Sequence, residues 1–387
     1  MAIFNSLGSN YNLKYVFKSL FSDPEGKSRK LKNFLEDKYQ GKVILTYKGR
    51  EALTLALKIL DLPKESCVAI NGFTCFAVYK AIETAGYIPI CLDLNGKSTG
   101  LNFSPETLEK AISENRNIRV VVIQNTLGNP CDIERITQIC KEKDVVLIED
   151  LAHCIGTKYP NGKEAGTIGE LITLSFSQDK VIDAVSGGAL IIRNKQFNNS
   201  TIQQFNDVNF AQRFKDRLYP LLTYKIRFMY DLGLGKPFHF LLKNLNLLSN
   251  PMQTNLYKFY SLPNWHCNLA FSEFGKLILQ LSHRRKIAKI YAKNLNKKLL
   301  QSKITNNISA SSNLRFPIFI ENRSSLIRYL KDSKIFVSDI WYDSVAPECP
   351  NAVKISHQIL NLPTHINVSE KKAKRISEKI NEWLRSQ

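Results

Sequence analysis

The sequence contains no uncharged apolar run approaching the roughly 20 residues a membrane-spanning helix needs, which excludes an integral helical membrane protein. Met1 to Phe21 carries Lys14 and Lys18 inside its apolar positions and has no continuous hydrophobic stretch, so it is not expected to be a secretion signal. The eight cysteines (Cys67, Cys75, Cys91, Cys131, Cys140, Cys154, Cys267, Cys349) form no C-x-x-C pair and no zinc-type spacing. Several lie in apolar stretches, and a reduced, cytoplasmic setting is expected. With Gly 18 and Pro 14 there is no collagen-like or linker-like bias. Internal repeats and low-complexity tracts are lacking too. Acid is scarce: Asp+Glu 34 against Lys+Arg 54 leaves a net charge of +20. That balance suits an anionic partner such as a phosphorylated substrate or an acidic membrane surface, or simply solvated lysine on helix faces. The basic residues are scattered and no nucleic-acid motif accompanies them, so nucleic acid is not an expected partner.

What is present is an ordinary folded composition, 44% hydrophobic and 23% charged over 387 residues, long enough for two or three domains. After a polar, lysine-rich lead-in (1–40), apolar runs read as buried strands at 66–71, 88–93, 118–124, 144–149, 171–176 and 188–193. Helix-period segments lie between them at 50–60, 75–85, 104–114 and 132–143. Ser104 before Pro105 and Asp132 before Ile133 are helix start signals. Continuously apolar strands alternating with helices predict an α/β large domain (41–200) with a mainly parallel sheet covered on both faces. The pattern breaks in a connector at 201–262. There residues 213–243 carry seven Lys/Arg and two Asp among large apolar side chains. The remainder (263–387) reads as a smaller α+β domain: a long helix at 268–300, strands at 316–320 and 335–341, a helix at 324–331 and a final amphipathic helix from Ser369.

Ligands of open parallel sheets bind at the carboxyl ends of the strands. There this sequence places Glu149-Asp150, then Ser175 through Lys180, and at the first strand–helix junction Tyr47-Lys48-Gly49-Arg50. A carboxylate, a lysine, a glycine-led helix start and a hydroxyl are the parts that a pyridoxal 5'-phosphate (PLP) enzyme needs. The lysine forms a Schiff base with the aldehyde and shuttles protons. The carboxylate keeps the pyridine nitrogen protonated. The helix N-terminus and hydroxyl hold the phosphate.

The ordered motifs G-R-E-A-L (49–53), N-G-F-T-C-F-A (71–77), G-N-P-C-D-I (128–133), I-E-D-L-A-H (148–153), S-F-S-Q-D-K…G-G-A (175–189) and C-P-N-A (349–352) with L-N-L-P-T-H (360–365) resemble those of the DegT/StrS-type sugar aminotransferases. That family is a branch of the fold type I PLP-dependent enzymes, and the resemblance runs from about residue 43 to the C-terminus. It implies that Lys180 is the Schiff-base lysine, that Asp150 pairs with the pyridine nitrogen, and that Ser175 meets the phosphate with the N–H groups of Gly49 and Arg50. Arg50 either adds charge there or sits on the helix surface. His153 stands at the family's glutamine, as a bond to the cofactor's 3-hydroxyl oxygen or as a buried structural histidine. Cys75 aligns with the stacking aromatic, leaving Phe73 or Phe76 as substitutes. Asp179 replaces the threonine before the lysine, and His266-Cys267-Asn268-Leu269 departs from the segment that contacts the partner subunit's phosphate.

The function so implied is transamination from an amino donor, glutamate, to a keto sugar carried by a nucleotide, by a homodimer serving a surface polysaccharide or other glycoconjugate. Two rivals remain: PLP-dependent dehydration, against which the retained lysine argues, and a non-catalytic protein that lies on anionic membranes through 213–243. Asn10-Tyr11-Asn12 reads as a substrate contact or as a polar tail end.

Overall fold

The apolar runs become strands because β-branched residues fill both faces of a sheet that helices cover. In the strand Ile118–Ile123, Val120 and Val122 enter one hydrophobic cluster while Val121 and Ile123 enter another on the opposite face. A computed structural model describes residues 2–21, 26–95, 100–198, 205–251, 258–337 and 345–387. In chain order it begins with β1 (Ile3–Phe4), α1 (Leu13–Phe21) and α2 (Lys27–Tyr39). The large domain follows as β2 (Lys42–Thr46), α3 (Gly49–Lys58), β3 (Cys67–Asn71), α4 (Phe76–Ala85), β4 (Ile88–Leu92), α5 (Pro105–Glu114), β5 (Ile118–Ile123), α6 (Ile133–Glu142), β6 (Val146–Asp150), β7 (Leu171–Ser175) and β8 (Gly188–Ile192). These strands form one seven-stranded sheet in the order β2-β8-β7-β6-β5-β3-β4. The steps from β7 through β6, β5 and β3 to β4 are parallel, and β8 alone runs against its neighbours β2 and β7. The expected start signals act as caps: Ser104 Oγ accepts from Thr107 N at 3.3 Å and Asp132 Oδ1 from Arg135 N at 3.2 Å.

The connector is helical, with α7 (Phe210–Asp231) and α8 (Gly235–Asn244). The single long helix read at 268–300 is two, α9 (Asn264–Phe274) and α10 (Leu277–Asn294), parted at Gly275, a poor helix former that caps α9. After α11 (Ser302–Asn306), the small domain pairs β9 (Arg315–Phe319) antiparallel with β11 (Ile359–Pro363), a strand the periodicity did not reveal. Helices α12 (Arg323–Asp332), α13 (Pro350–Gln358) and α14 (Glu370–Arg385) complete it. The strand read at 335–341 is β10 (Ile335–Phe336), and 338–344 lie outside the described residues.

Residues of the stretch read as a lead-in are built into both domains. β1 pairs in parallel with β10, and Ile3 joins the small domain's core. In α2, Leu31, Leu35 and Tyr39 recur at helical spacing and bury in the large domain's core beneath the lysine-rich outer face.

Candidate active site

The carboxyl ends of β2, β5, β6 and β7 open into one cavity of about 610 Å³. Gly49, Arg50, Cys75 and Phe76 line it, and so do Asp150, His153, Ser175 and Lys180. These eight residues, singled out from the sequence as the cofactor site, thus meet in one place. Phe73 does not: it is buried in an apolar cluster with Leu94, Leu101 and Cys349. Phe76 reaches the cavity from the start of α4 and is 56% exposed, whereas Cys75 caps that helix, its Sγ accepting from Ala77 N at 3.5 Å.

Asp150 ends β6, and its neighbour Glu149 points the other way, as alternation in a strand requires. Glu149 is fully buried and accepts from Tyr159 Oη and from the backbone N–H groups of Gly166, Ile168 and Gly169, so it is structural. Asp150 Oδ1 accepts from Ala152 N at 3.1 Å and Thr173 Oγ1 at 3.2 Å, and Oδ2 accepts from Gln124 Nε2 at 3.2 Å. Gln124 is itself oriented by the Thr74 hydroxyl, which donates to its Oε1. Burial raises the pKa of Asp150, and the Ala152 N–H and the Lys180 charge only partly offset this. A cation against this carboxylate would be welcome.

Lys180 lies in the tight loop between β7 and β8. The Asp183 carboxylate organises that loop, accepting from Asp179 N at 2.8 Å, Val185 N at 3.0 Å, Asn10 Nδ2 at 3.0 Å and Tyr11 Oη at 2.7 Å. Asn10 Nδ2 also donates to the Lys180 carbonyl at 3.1 Å. So Asn10 and Tyr11 brace the lysine loop, while Asn12 Oδ1 accepts from Tyr15 N at 2.9 Å at the start of α1. Burial lowers the Lys180 pKa against the pull of Cys75 and Asp150, which favours a neutral, nucleophilic amine.

His153 is buried, and its Nδ1 accepts from Leu127 N at 3.4 Å. Burial, then the charges of Lys180 and Arg315, push its pKa well below the usual histidine value. A neutral ring accepting at Nδ1 carries its proton on Nε2, the donor polarity that a glutamine amide would offer.

The start of α3 is a cradle. Its N-cap residue, Lys48, makes no side-chain capping bond. A Cβ on Gly49 would come within 2.7 Å of Ser175 Cβ, and one on Gly188 within 2.7 Å of both Gly49 Cα and the Lys48 carbonyl oxygen. Glycine at 49 and 188 therefore lets α3, β7 and β8 converge on the same point. Arg50 is no surface arginine: its guanidinium donates to the Pro251 carbonyl at 3.2 Å.

Several lining residues escaped the sequence reading. Gln124 was within reach of it, since it directly follows β5 at the carboxyl edge. Tyr219 and Tyr230 come from α7, and Phe4 and Leu7 from the N-terminal segment; no periodicity or motif pointed to them. The segment 266–269 lies in α9, with His266 Nε2 2.9 Å from Asp216 Oδ2 inside the same chain. Among the described residues no cluster suited to a metal ion occurs.

The donor set fits pyridoxal phosphate: a buried lysine amine, a buried carboxylate that forms no ion pair among the described residues, and an uncapped helix start beside a serine hydroxyl. The fold agrees with solved aminotransferases. Helicobacter pylori PseC, an aminotransferase involved in the biosynthesis of pseudoaminic acid, superposes with a TM-score of 0.73 at 16% identity over 100% of both chains. GDP-perosamine synthase of Vibrio cholerae is 34% identical over 143 residues, 37% of this chain and 38% of that protein. The dTDP-4-dehydro-2,3,6-trideoxy-D-glucose 4-aminotransferase of Saccharopolyspora spinosa is 30% identical over 146 residues, 38% of this chain and 37% of that one. These alignments thus span little more than a third of either curated relative. The family model reaches much further, over residues 28–381, and by that match and this architecture the chain belongs to the DegT/DnrJ/EryC1/StrS aminotransferase family.

Proposed function

We propose that this protein is a PLP-dependent aminotransferase that passes an amino group from glutamate to a keto sugar linked to a nucleotide, in the assembly of a polysaccharide or other glycoconjugate. The observation that carries this reading is the convergence of Lys180, Asp150 and the open start of α3 on one cavity. The relatives' sugar-nucleotide names support the substrate class. When bound, the cofactor supplies an aldehyde that takes up amino nitrogen and a ring that accepts electrons from the bond being broken. Lys180 Nζ takes and returns the proton at the substrate carbon, with burial keeping it free of its own proton often enough to act. Asp150 Oδ2, fixed by Gln124, would hold a positive ring nitrogen. His153, with its proton on Nε2, would offer a donor to the ring's oxygen substituent.

The test is spectroscopic. Purified protein given PLP should show a visible absorption band that borohydride abolishes, and glutamate should bleach that band while 2-oxoglutarate is released. Lys180→Ala should lack the band. A wild type that stays colourless with added PLP would overturn the proposal, and a coloured enzyme that releases no 2-oxoglutarate would favour the dehydration reading.

The same proposal includes a homodimer in the cytoplasm. Phe17 and Phe21 on α1, Phe210 and Phe214 on α7, and Ile278 and Leu279 on α10 are all exposed, apolar surface of the kind a second copy would cover. Contact with an anionic membrane has narrower support: Phe240 and Leu241 on α8, exposed near Lys236 and Lys243.

A further inference from the structure

Lys48 is the N-cap residue of α3, and it lines the cavity beside Gly49, Arg50, Ser175 and Gln178. It is only 3% exposed. Its ammonium lies 4.5 Å from the centroid of the Tyr47 ring, and it makes no hydrogen bond or ion pair among the described residues. A buried ammonium in that state is costly, and the Tyr47 ring face and the non-bonded acids nearby offset that cost only in part, since burial still lowers its pKa.

Neither acid near it forms an ion pair with it among the described residues. Asp216 Oδ1 accepts from Ser249 Oγ at 2.6 Å and Gln212 Nε2 at 2.8 Å, and Oδ2 from Tyr47 Oη at 2.5 Å with His266 Nε2 at 2.9 Å. Four partners fill its lone pairs. Glu51, in the first turn of α3, accepts from Tyr260 N at 3.2 Å through Oε2 only, and burial lifts its pKa to about 7, so it is only partly ionised near neutrality and forms no ion pair with Lys48 among the described residues. Arg50, the nearest cation, donates to Pro251. Burial depresses the Lys48 pKa to about 8, with Asp216 and Glu51 opposing the shift and Arg50 adding to it. The side chain is therefore mostly cationic at neutral pH while lacking an anion.

We propose that Lys48 is a phosphate-binding residue, whose ammonium supplies the phosphate monoester of the bound cofactor with a full positive charge at the point where α3 supplies backbone donors and Ser175 a hydroxyl. This rests on the aminotransferase reading for the presence of the cofactor. The anchor differs in kind from a helix-start and serine site, because it binds charge rather than geometry and weakens as the lysine loses its proton.

Pyridoxal, which lacks the phosphate, separates this role from a structural one. Apo wild type, Lys48→Met and Lys48→Arg are each titrated with PLP and with pyridoxal, following the visible band and tryptophan fluorescence. Lys48→Met should weaken PLP by about tenfold or more, the loss of one charge-assisted contact, and leave pyridoxal within about twofold. Lys48→Arg should recover most of the PLP affinity. In wild type the preference for PLP over pyridoxal should shrink as pH rises through about 8, the range in which Lys48 discharges, and in Lys48→Met it should not. Without cofactor, Lys48→Met should melt no lower than wild type, since it removes an uncompensated buried charge. Equal losses for both ligands, or none for either, would overturn the assignment. So would a loss confined to a nucleoside diphosphate, which would place the charge on the substrate instead. A wild type that binds neither cofactor form would overturn the aminotransferase reading itself.

Discussion

At the scale of single residues, the site is governed by what burial does to charge. Asp150 and Lys180 are shifted towards their neutral forms by the same cause, removal from water, which suits Lys180 as a nucleophilic amine and leaves Asp150 receptive to a cation. His153 gives the clearest consequence of this for stability. Its folded-state pKa lies well below the unfolded value near 6.5, so below about pH 6.5 the unfolded chain binds a proton that the folded one refuses. Stability attributable to this ring is complete above that pH and is lost as pH falls. His153→Gln should remove that loss, sparing about 1–2 kcal/mol between pH 6.5 and 5 in denaturant titrations, while keeping the cofactor's visible band. An unchanged acid profile in the variant would mean that the imidazole is protonated in the folded protein. The carboxyl-edge rule made Asp150, Ser175 and Lys180 legible in the sequence. Thr74 and Gln124, which orient Asp150, were not, because a single amide or hydroxyl carries no pattern.

At the scale of elements, three backbones meet where α3 starts at the cavity, and glycine decides how near they come. β8 pairs with both β2 and β7, placing Gly188 opposite Thr46 and Ser175 and directly under the start of α3. The atoms that an added methyl would strike are backbone, Gly49 Cα and the Lys48 carbonyl oxygen, so no side chain can move aside. Gly188→Ala should destabilise the fold by about 1–3 kcal/mol and weaken PLP more than pyridoxal, read by thermal melts and by the same titrations. A variant as stable and as well loaded as wild type would show that α3 can retreat. The strands and helices of the large domain were legible because buried parallel strands are continuously apolar and their helices carry start signals. The break between α9 and α10 was less so, since Gly275-Lys276 sits between the apolar Phe274 and Leu277 without a proline or a side-chain capping bond, and only the local geometry shows the interruption.

At the scale of the whole molecule, the N-terminal segment stitches the domains together. β1 extends the small domain, Asn10 Nδ2 holds the lysine loop while its Oδ1 accepts from Arg284 of α10 at 3.2 Å, and Tyr11 reaches Asp183. The exposed apolar side chains of α1, α7 and α10 then face outward as one further requirement for burial. Light scattering on the purified protein should return twice the chain mass of 44.2 kDa, and Phe210→Asp with Phe214→Asp should lower it. A monomeric wild type would remove the homodimer. Pelleting with anionic vesicles at low salt, lost on Lys236→Glu with Lys243→Glu, would support the membrane contact; failure to pellet would remove it.

The sequence by itself determined the α/β large domain and pointed to the polar groups that line the cavity, because both are written in local terms: apolar runs of strand length, capping residues, and side chains at strand ends. It determined the cationic character of the molecule as well, since charge is a sum. Only the tertiary structure decided that the N-terminal segment braces the Lys180 loop, that α7 contributes Tyr219 and Tyr230 to the cavity, and that Lys48 is buried without an ion pair among the described residues. Those facts depend on contacts between residues far apart in the chain, and on which neighbours have already used their hydrogen bonds. No local pattern carries that information.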